Sequence, residues 1–426
     1  MRLFFFCYFL FLPFQWALSP LPGVDLALIR LATITLILLW LIRGLVLKRL
    51  SLPFDVPTFL LSAFLLWASS SLLWADNTLF GVRKALFLFS FLPLFFILVA
   101  WLKEYPAERT VLLRAFVVGA FLAALSGLVF FFLQFLFGPE PIFAFLTTTI
   151  LPFFLGTTFG QTVANYPSLL VNISGVTLLR ASGVFPDPHM FSLYLGMAIP
   201  VAGIWWWRVT THKTWWLIIF LTILLADLLS FSRGGYVGLI CGTIIFFLGI
   251  RSRLRFEKRS ALLLVMGLII LGTLLSSSPL GSRFFSSFSR QDGSNIERLR
   301  LWQEAVLHIG ERPLSGVGLG NYPLLVKPSA LYREPIYAHN LFLDIAVELG
   351  LIGLALFLGV VGSALLWAGR AWKGAALPSA FAVIVSLAVF LGHAFFETPL
   401  FSVHVLPVLL LFLAIGVSYK YHALSS

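Results

Sequence analysis

Residues 111–137 read VLLRAFVVGAFLAALSGLVFFFLQFLF, with Arg114 as the single charged side chain. The run is longer than the roughly 20 residues needed to cross the hydrocarbon of a bilayer. In lipid the backbone N–H and C=O groups have only one another as partners, so such a run must be a helix. Similar runs recur near 3–18, 26–43, 56–74, 84–102, 189–207, 215–231, 236–250, 261–277, 341–368, 376–394 and 400–419. The pattern predicts an all-α polytopic membrane protein of about twelve transmembrane helices, with residues 1–426 forming one integral membrane domain. Composition agrees: 60% of residues are hydrophobic, 16% aromatic and only 11% charged, where soluble domains carry about a quarter charged.

The net charge of +12 does not point to nucleic acid, because the basic residues fall in short clusters between apolar runs. Alternate connections carry Arg43, Lys48 and Arg49, then Lys103 and Arg109, Arg208 and Lys213, RSRLRFEKR at 251–259, Arg370 and Lys373, and finally Lys420. The opposite connections SPLPGVD and FFETPLF carry none. By the positive-inside rule the basic set faces the cytoplasm, as do both termini. Cys7 and Cys241 sit inside apolar segments, so no disulfide framework is implied. The first run, LFFFCYFLFLPFQWAL, lacks a small-x-small cleavage pattern and reads as a retained span.

Two segments then fall on the outer face. Residues 138–188 are apolar but broken by Pro and Gly, and predict an interfacial or re-entrant segment, with 138–160 a candidate side entrance for a lipid tail. Residues 278–340 form a large outer loop containing Arg283, Arg290, Arg298, Arg300, Arg312, Lys327 and Arg333, where an anionic head group could be held. Within it, Arg298, Leu301, Trp302, Ala305 and Val306 share one face of an amphipathic helix expected to lie on the membrane. Gly316, Gly318 and Gly320 then mark a tight loop; with no βαβ unit around them they are not a dinucleotide fingerprint. No internal repeat and no metal-ligand spacing is visible.

Chemistry-bearing residues each have a plain alternative. In FSRGGYVG, Arg233 either snorkels beside a glycine turn or binds phosphate where the glycines permit close backbone approach. Arg180 precedes another span on the same face; Asp187 and His189 behind it read as a helix entry. His339 either marks an interface, with Asn340 capping the next helix and Asp344 near its N-terminus, or does chemistry. His393, Glu397 and His404 at the last outer corner read as structural.

The order SRGG, then R-x-x-x-W-x-x-A with P-x-x-G-x-G-x-GNY, then HN-x-x-L-x-x-x-x-x-E-x-G-x-x-G resembles the O-antigen ligase and O-antigen polymerase superfamily, over roughly Arg180 to Gly353. The resemblance implies a GT-C-like, metal-independent, inverting glycosyltransferase without cofactor, multi-pass in the bacterial cytoplasmic (inner) membrane with its site facing the periplasm. It implies a role in lipopolysaccharide biosynthesis and the cell envelope. The donor is a glycan on undecaprenyl diphosphate; the acceptor is the lipid A core for a ligase, the reading preferred here, or another lipid-linked glycan for a polymerase. Carried over by motif, Arg233 and either Arg298 or Arg300 fall on the diphosphate-binding positions and His339 on the catalytic one; Arg180 joins the diphosphate-binding set from its place on the same face. A lipid-linked sugar transporter or flippase is the alternative of another class, although its charges belong at midplane rather than in one outer loop.

Overall fold

The computed structural model describes all residues except 22–23, 49–54, 166–167, 174, 209–210, 251–292, 332–333, 335, 376 and 424–426. The expected span 261–277, the basic run 251–259 and Arg283, Arg290 and Arg333 therefore lie outside the described residues.

Among the described residues, seven helices are long and apolar enough to cross a bilayer: Leu28–Val46, Val56–Leu73, Thr78–Glu104, Glu108–Phe137, Pro188–Arg208, Arg233–Ile250 and Leu341–Ala375. Each coincides with an expected span. The expected spans 3–18, 376–394 and 400–419 correspond to the shorter apolar helices Arg2–Phe14, Pro378–His393 and Val405–Ser418, and 215–231 to Lys213–Leu228. The chain is a helical membrane protein. Its sidedness shows in burial: Val405–Ser418 is buried at every position and forms the axis of the bundle, as a helix apolar all round should. In Leu28–Val46, by contrast, only 17% of the most apolar stretch is buried, so Leu38, Leu39, Ile42 and Leu45 stand outward.

All-α needs one correction. Among the described residues two antiparallel hairpins interrupt the helices, Ala17–Leu21 with Val24–Ala27 and Leu170–Ile173 with Val176–Leu179. The second is anchored by Gln134, whose side chain both accepts from Leu179 N (2.7 Å) and donates to Leu179 O (2.9 Å). Segment 138–188 is broken as expected, into Pro139–Phe145, a π-turn at Leu146–Ile150, Leu151–Leu155 and Thr157–Asn165.

The loop helix Gly293–Glu311 also differs from expectation. Its apolar face packs on protein: Ala305 is buried with Tyr322, Ala338 and Val347, and Trp302 packs against them. Val306, expected on that face, stands outward. The glycine run behind it is a docking strip. Val317 N and Gly318 N donate to the carbonyls of Val347 and Glu348 (both 2.9 Å), and Leu351 N donates to Pro313 O (2.8 Å). These bonds close over Gly350, whose φ of +69° kinks the Leu341–Ala375 helix. On the other side Leu319 N donates to Ser71 Oγ (3.0 Å) and Asn77 N to Asn321 Oδ1 (2.7 Å). A buried Lys84–Glu348 ion pair (2.7 Å) ties the Thr78–Phe91 helix to the same kink.

Gly318 has the largest φ of that strip, +98°, and a Cβ there would sit 2.7 Å from Ala75 Cβ. Gly318→Ala is expected to destabilise by about 1–3 kcal/mol, lowering the thermal unfolding midpoint in detergent. Gly362→Ala, in open space on a helix, leaves the midpoint unchanged or slightly higher.

Candidate functional site

Two turns present the site, and each contains a non-glycine residue in the left-handed region: Phe231 with φ +50° and His339 with φ +49°. Such conformations are uncommon for bulky side chains and persist only where neighbours impose them.

At the first turn the neighbour is Arg180. Its guanidinium donates to Ser230 O (2.7 Å), Phe231 O (3.2 Å) and Ser168 O (3.0 Å), and it is buried. The turn delivers Ser232 and Arg233 to the start of the Arg233–Ile250 helix. The following glycines are helical rather than a turn; a Cβ on Gly234 would lie 2.6 Å from the His393 ring, and one on Gly238 2.8 Å from Val389 O. Small residues one turn apart thus let this helix seat closely on Pro378–His393.

At the second turn, Ala338 is held from both sides: its N–H donates to Asp344 Oδ1 (2.9 Å) and its carbonyl accepts from Trp302 Nε1 (2.8 Å). Asn340 Oδ1 caps the helix through Phe342 N (3.0 Å) and Leu343 N (3.2 Å), the role read from sequence. Asp344 also accepts from the Thr398 hydroxyl, tying the histidine turn to the corner that holds Glu397.

Glu397 is the centre. Arg298 Nη2 lies 3.2 Å from its Oε1, His339 Nδ1 3.4 Å from its Oε2, and His189 Nδ1 3.6 Å from its Oε1. His189 Nδ1 is also 3.0 Å from Ser232 Oγ, and Arg233 Nη1 donates to Asn295 Oδ1 (2.8 Å), three residues before Arg298 on the loop helix. The carboxylate is buried. Burial pushes its pKa up, but His189, His339 and Arg298 outweigh burial and hold it well below the usual carboxylate range. His339 is the counterpart: burial pulls its pKa down, and the hydrogen bond and charge of Glu397 more than reverse this, so the net direction is up. With Nδ1 facing Glu397, Nε2 is left for another partner.

The structure therefore brings His339, Arg298 and Arg233 together. It separates the arginine doublet: residues two apart lie about 200° apart around a helix, and Arg300 turns outward to Glu297 (2.6 Å) and Glu304 (2.7 Å). Arg180, expected among the diphosphate binders, holds the Phe231 turn through its guanidinium. Asp187 caps the Pro188–Arg208 helix through His189 N (2.9 Å) and Met190 N (2.8 Å), the helix entry expected. The sequence missed Glu397 and His189 as participants; the one signal was an ionisable cluster, His393, Glu397 and His404, at a single corner. Among the described residues no group of three or more His, Cys, Asp or Glu side chains is placed to hold a metal ion.

Residues 217–358 match the family model described as O-Antigen ligase. The resemblance read from the motifs thus holds for this segment, which contains Arg233, Arg298 and His339 and ends before Glu397. A Rickettsia bellii protein named "Putative polysaccharide ligase" is 30% identical over 162 residues. Similarly described proteins of Rickettsia prowazekii and Rickettsia typhi are 26% and 27% identical over 156 residues. Each match spans 34% of this chain and 38% of the relative.

Arg180→Ala would leave three backbone carbonyls without their donor beside a left-handed phenylalanine, and should destabilise by about 2–4 kcal/mol. Thermal unfolding checks this, with Arg300→Ala expected to leave the midpoint unchanged.

Proposed function

We propose that the protein is an O-antigen ligase-type glycosyltransferase: it moves a glycan from undecaprenyl diphosphate to a sugar hydroxyl of the lipid A core, on the outer face of the cytoplasmic membrane. The observation that carries this is the convergence on Glu397 of Arg298 and His339, with Arg233 tied to the same loop helix through Asn295. The O-antigen ligase match over 217–358 supports it independently.

The chemistry follows from these groups. As the acceptor oxygen attacks the anomeric carbon, the bond from that carbon to the diphosphate oxygen breaks, and both electrons leave with the diphosphate. Arg298 and Arg233 meet that developing charge. A guanidinium has five N–H donors, and the Glu397 contact is made through Nη2 of Arg298, so other donors remain for phosphate oxygens. The acceptor's proton passes to His339 Nε2, while Glu397 holds Nδ1–H and stabilises the imidazolium that forms. Attack opposite the leaving group inverts the anomeric centre.

Purified protein incubated with lipid-linked repeat units should form a core-linked product when lipid A core is added, and no lengthened chain without it. Arg298→Ala should reduce the rate by about a hundredfold or more, whereas Arg300→Ala should stay within about twofold. Equal effects of the two would remove Arg298 from its assigned role.

The pH profile gives a separate check. His339 must be unprotonated to accept a proton, so kcat/KM should fall as pH drops through a pKa held above the ordinary imidazole value. Glu397→Gln removes the negative charge that favours imidazolium; the residual activity should then keep its acid limb at lower pH. A limb that does not move, or moves upward, contradicts the pairing.

A further inference from the structure

Beside the Glu397 cluster lies a cavity of about 400 Å³. Tyr337, Asp187 and Thr398 line it, each within two residues of His339, His189 or Glu397. Its charged walls are already engaged. Lys84 pairs with Glu348; Asp25 accepts from Phe159 N and Ser19 Oγ (both 2.8 Å); Arg30 donates to Ser90 Oγ (3.2 Å); Asp187 caps its helix.

Two neutral groups in the wall are different. His404 is 1% exposed and Gln15 6% exposed. Neither ring nitrogen of His404 has a partner among the described residues, nor has Gln15 Oε1. Gln15 Nε2 donates to Phe154 O (2.7 Å), which fixes the orientation of the amide. Buried polar groups are ordinarily paired, so three unpartnered atoms on two residues that line one cavity point to a hydrogen-bonding ligand there. Burial pushes the His404 pKa down to about 3, which leaves a neutral ring offering one donor and one acceptor. Neutral donors and acceptors between the apolar faces of Phe159, Phe401 and Tyr337 suit hydroxyls on a pyranose better than an anion.

The cavity also has an apolar annex. Gln15 lines a second space of about 660 Å³, walled by Phe4, Tyr8, Phe11 and Ile29 of the first two helices. A hydrocarbon chain in that groove would place a sugar it carries in the polar chamber.

We propose that this cavity is a saccharide subsite, holding the lipid-anchored sugar next to the bond being made through hydrogen bonds to His404 and Gln15. The proposal rests on the glycosyl-transfer reading above. The sugar could belong to donor or acceptor, and the two are separable by binding.

The test uses the full-length protein in lipid nanodiscs with three probes: undecaprenyl diphosphate without sugar, the same lipid bearing one repeat unit, and lipid A core glycolipid. His404→Phe and Gln15→Met, each confirmed folded by its thermal midpoint, should weaken a sugar-bearing probe about tenfold and leave the sugar-free lipid unchanged. His404→Gln, which keeps a donor and an acceptor, should bind nearly as the unaltered protein does. Loss confined to the repeat-unit lipid assigns the donor sugar; loss confined to the core glycolipid assigns the acceptor. The subsite is overturned if both variants bind all three probes normally, or if they lose the sugar-free lipid equally. Arg298→Ala separates the two ideas: normal binding of sugar-free diphosphate by that variant sinks the diphosphate site and leaves the saccharide arms to be read alone.

Discussion

A carboxylate taken out of water is costly unless charge and hydrogen bonds meet it, and Glu397 is met from three directions. Removing one partner of such a group leaves an uncompensated buried charge, an expense of several kcal/mol. The constraint is therefore geometric. Arg298 comes from the loop helix, His339 from the turn before the kinked helix, and His189 from the start of Pro188–Arg208. Elements far apart in the chain must all reach one corner for the anion to be tolerated. The packing of the loop helix follows from the same demand. Arg298 and Trp302 are one turn apart, and one binds Glu397 while the other grips the Ala338 carbonyl. A single helical face thus fixes both the carboxylate beside His339 and the backbone of its turn.

Holding the groups there requires strain at both presenting turns. Phe231 and His339 have left-handed backbones, and each has a dedicated clamp: Arg180 on the Ser230 and Phe231 carbonyls, and Asp344 with Trp302 around Ala338. The clamps are themselves buried or half-buried polar groups with their bonds satisfied, so the strain is set by packing and not by the ligand. A site built this way is ordered without a ligand, as the proposed stabilisation of a leaving diphosphate would require.

Much of this was legible in the chain because it obeys a period. Apolar runs gave the seven long helices, and the four-residue spacing of Arg298 and Trp302 gave one helical face. The left-to-right order of SRGG, GNY and HN gave the family segment. The same face rule explains why the Arg298–Arg300 choice stayed open: two residues apart is decisive on a helix only when one knows which side packs. Glu397 was not legible. It sits between two helix ends, where no periodicity operates, and its importance arises from partners more than 50 positions away. The carbonyl contacts of Arg180 were not legible for a similar reason, since an arginine ahead of a span looks alike whether it faces phosphate or backbone carbonyls. The glycine strip was read correctly as tight, but its partner, the kink at Gly350, is a tertiary fact.

The apolar bundle and the polar site also depend on each other. Val405–Ser418, buried all round, and the closely seated Arg233–Ile250 and Pro378–His393 helices form a rigid floor. Glu397 and His404 both rise from the short link between Pro378–His393 and Val405–Ser418. That placement puts the carboxylate that gathers Arg298 and His339, and the neutral imidazole that lines the cavity, on the same few residues. Any shift of these two helices would move both together, so the Glu397 cluster and the cavity keep their separation. The proposed glycosyl transfer would need that separation fixed, because the reacting carbon would lie between the phosphate it leaves and the hydroxyl it meets.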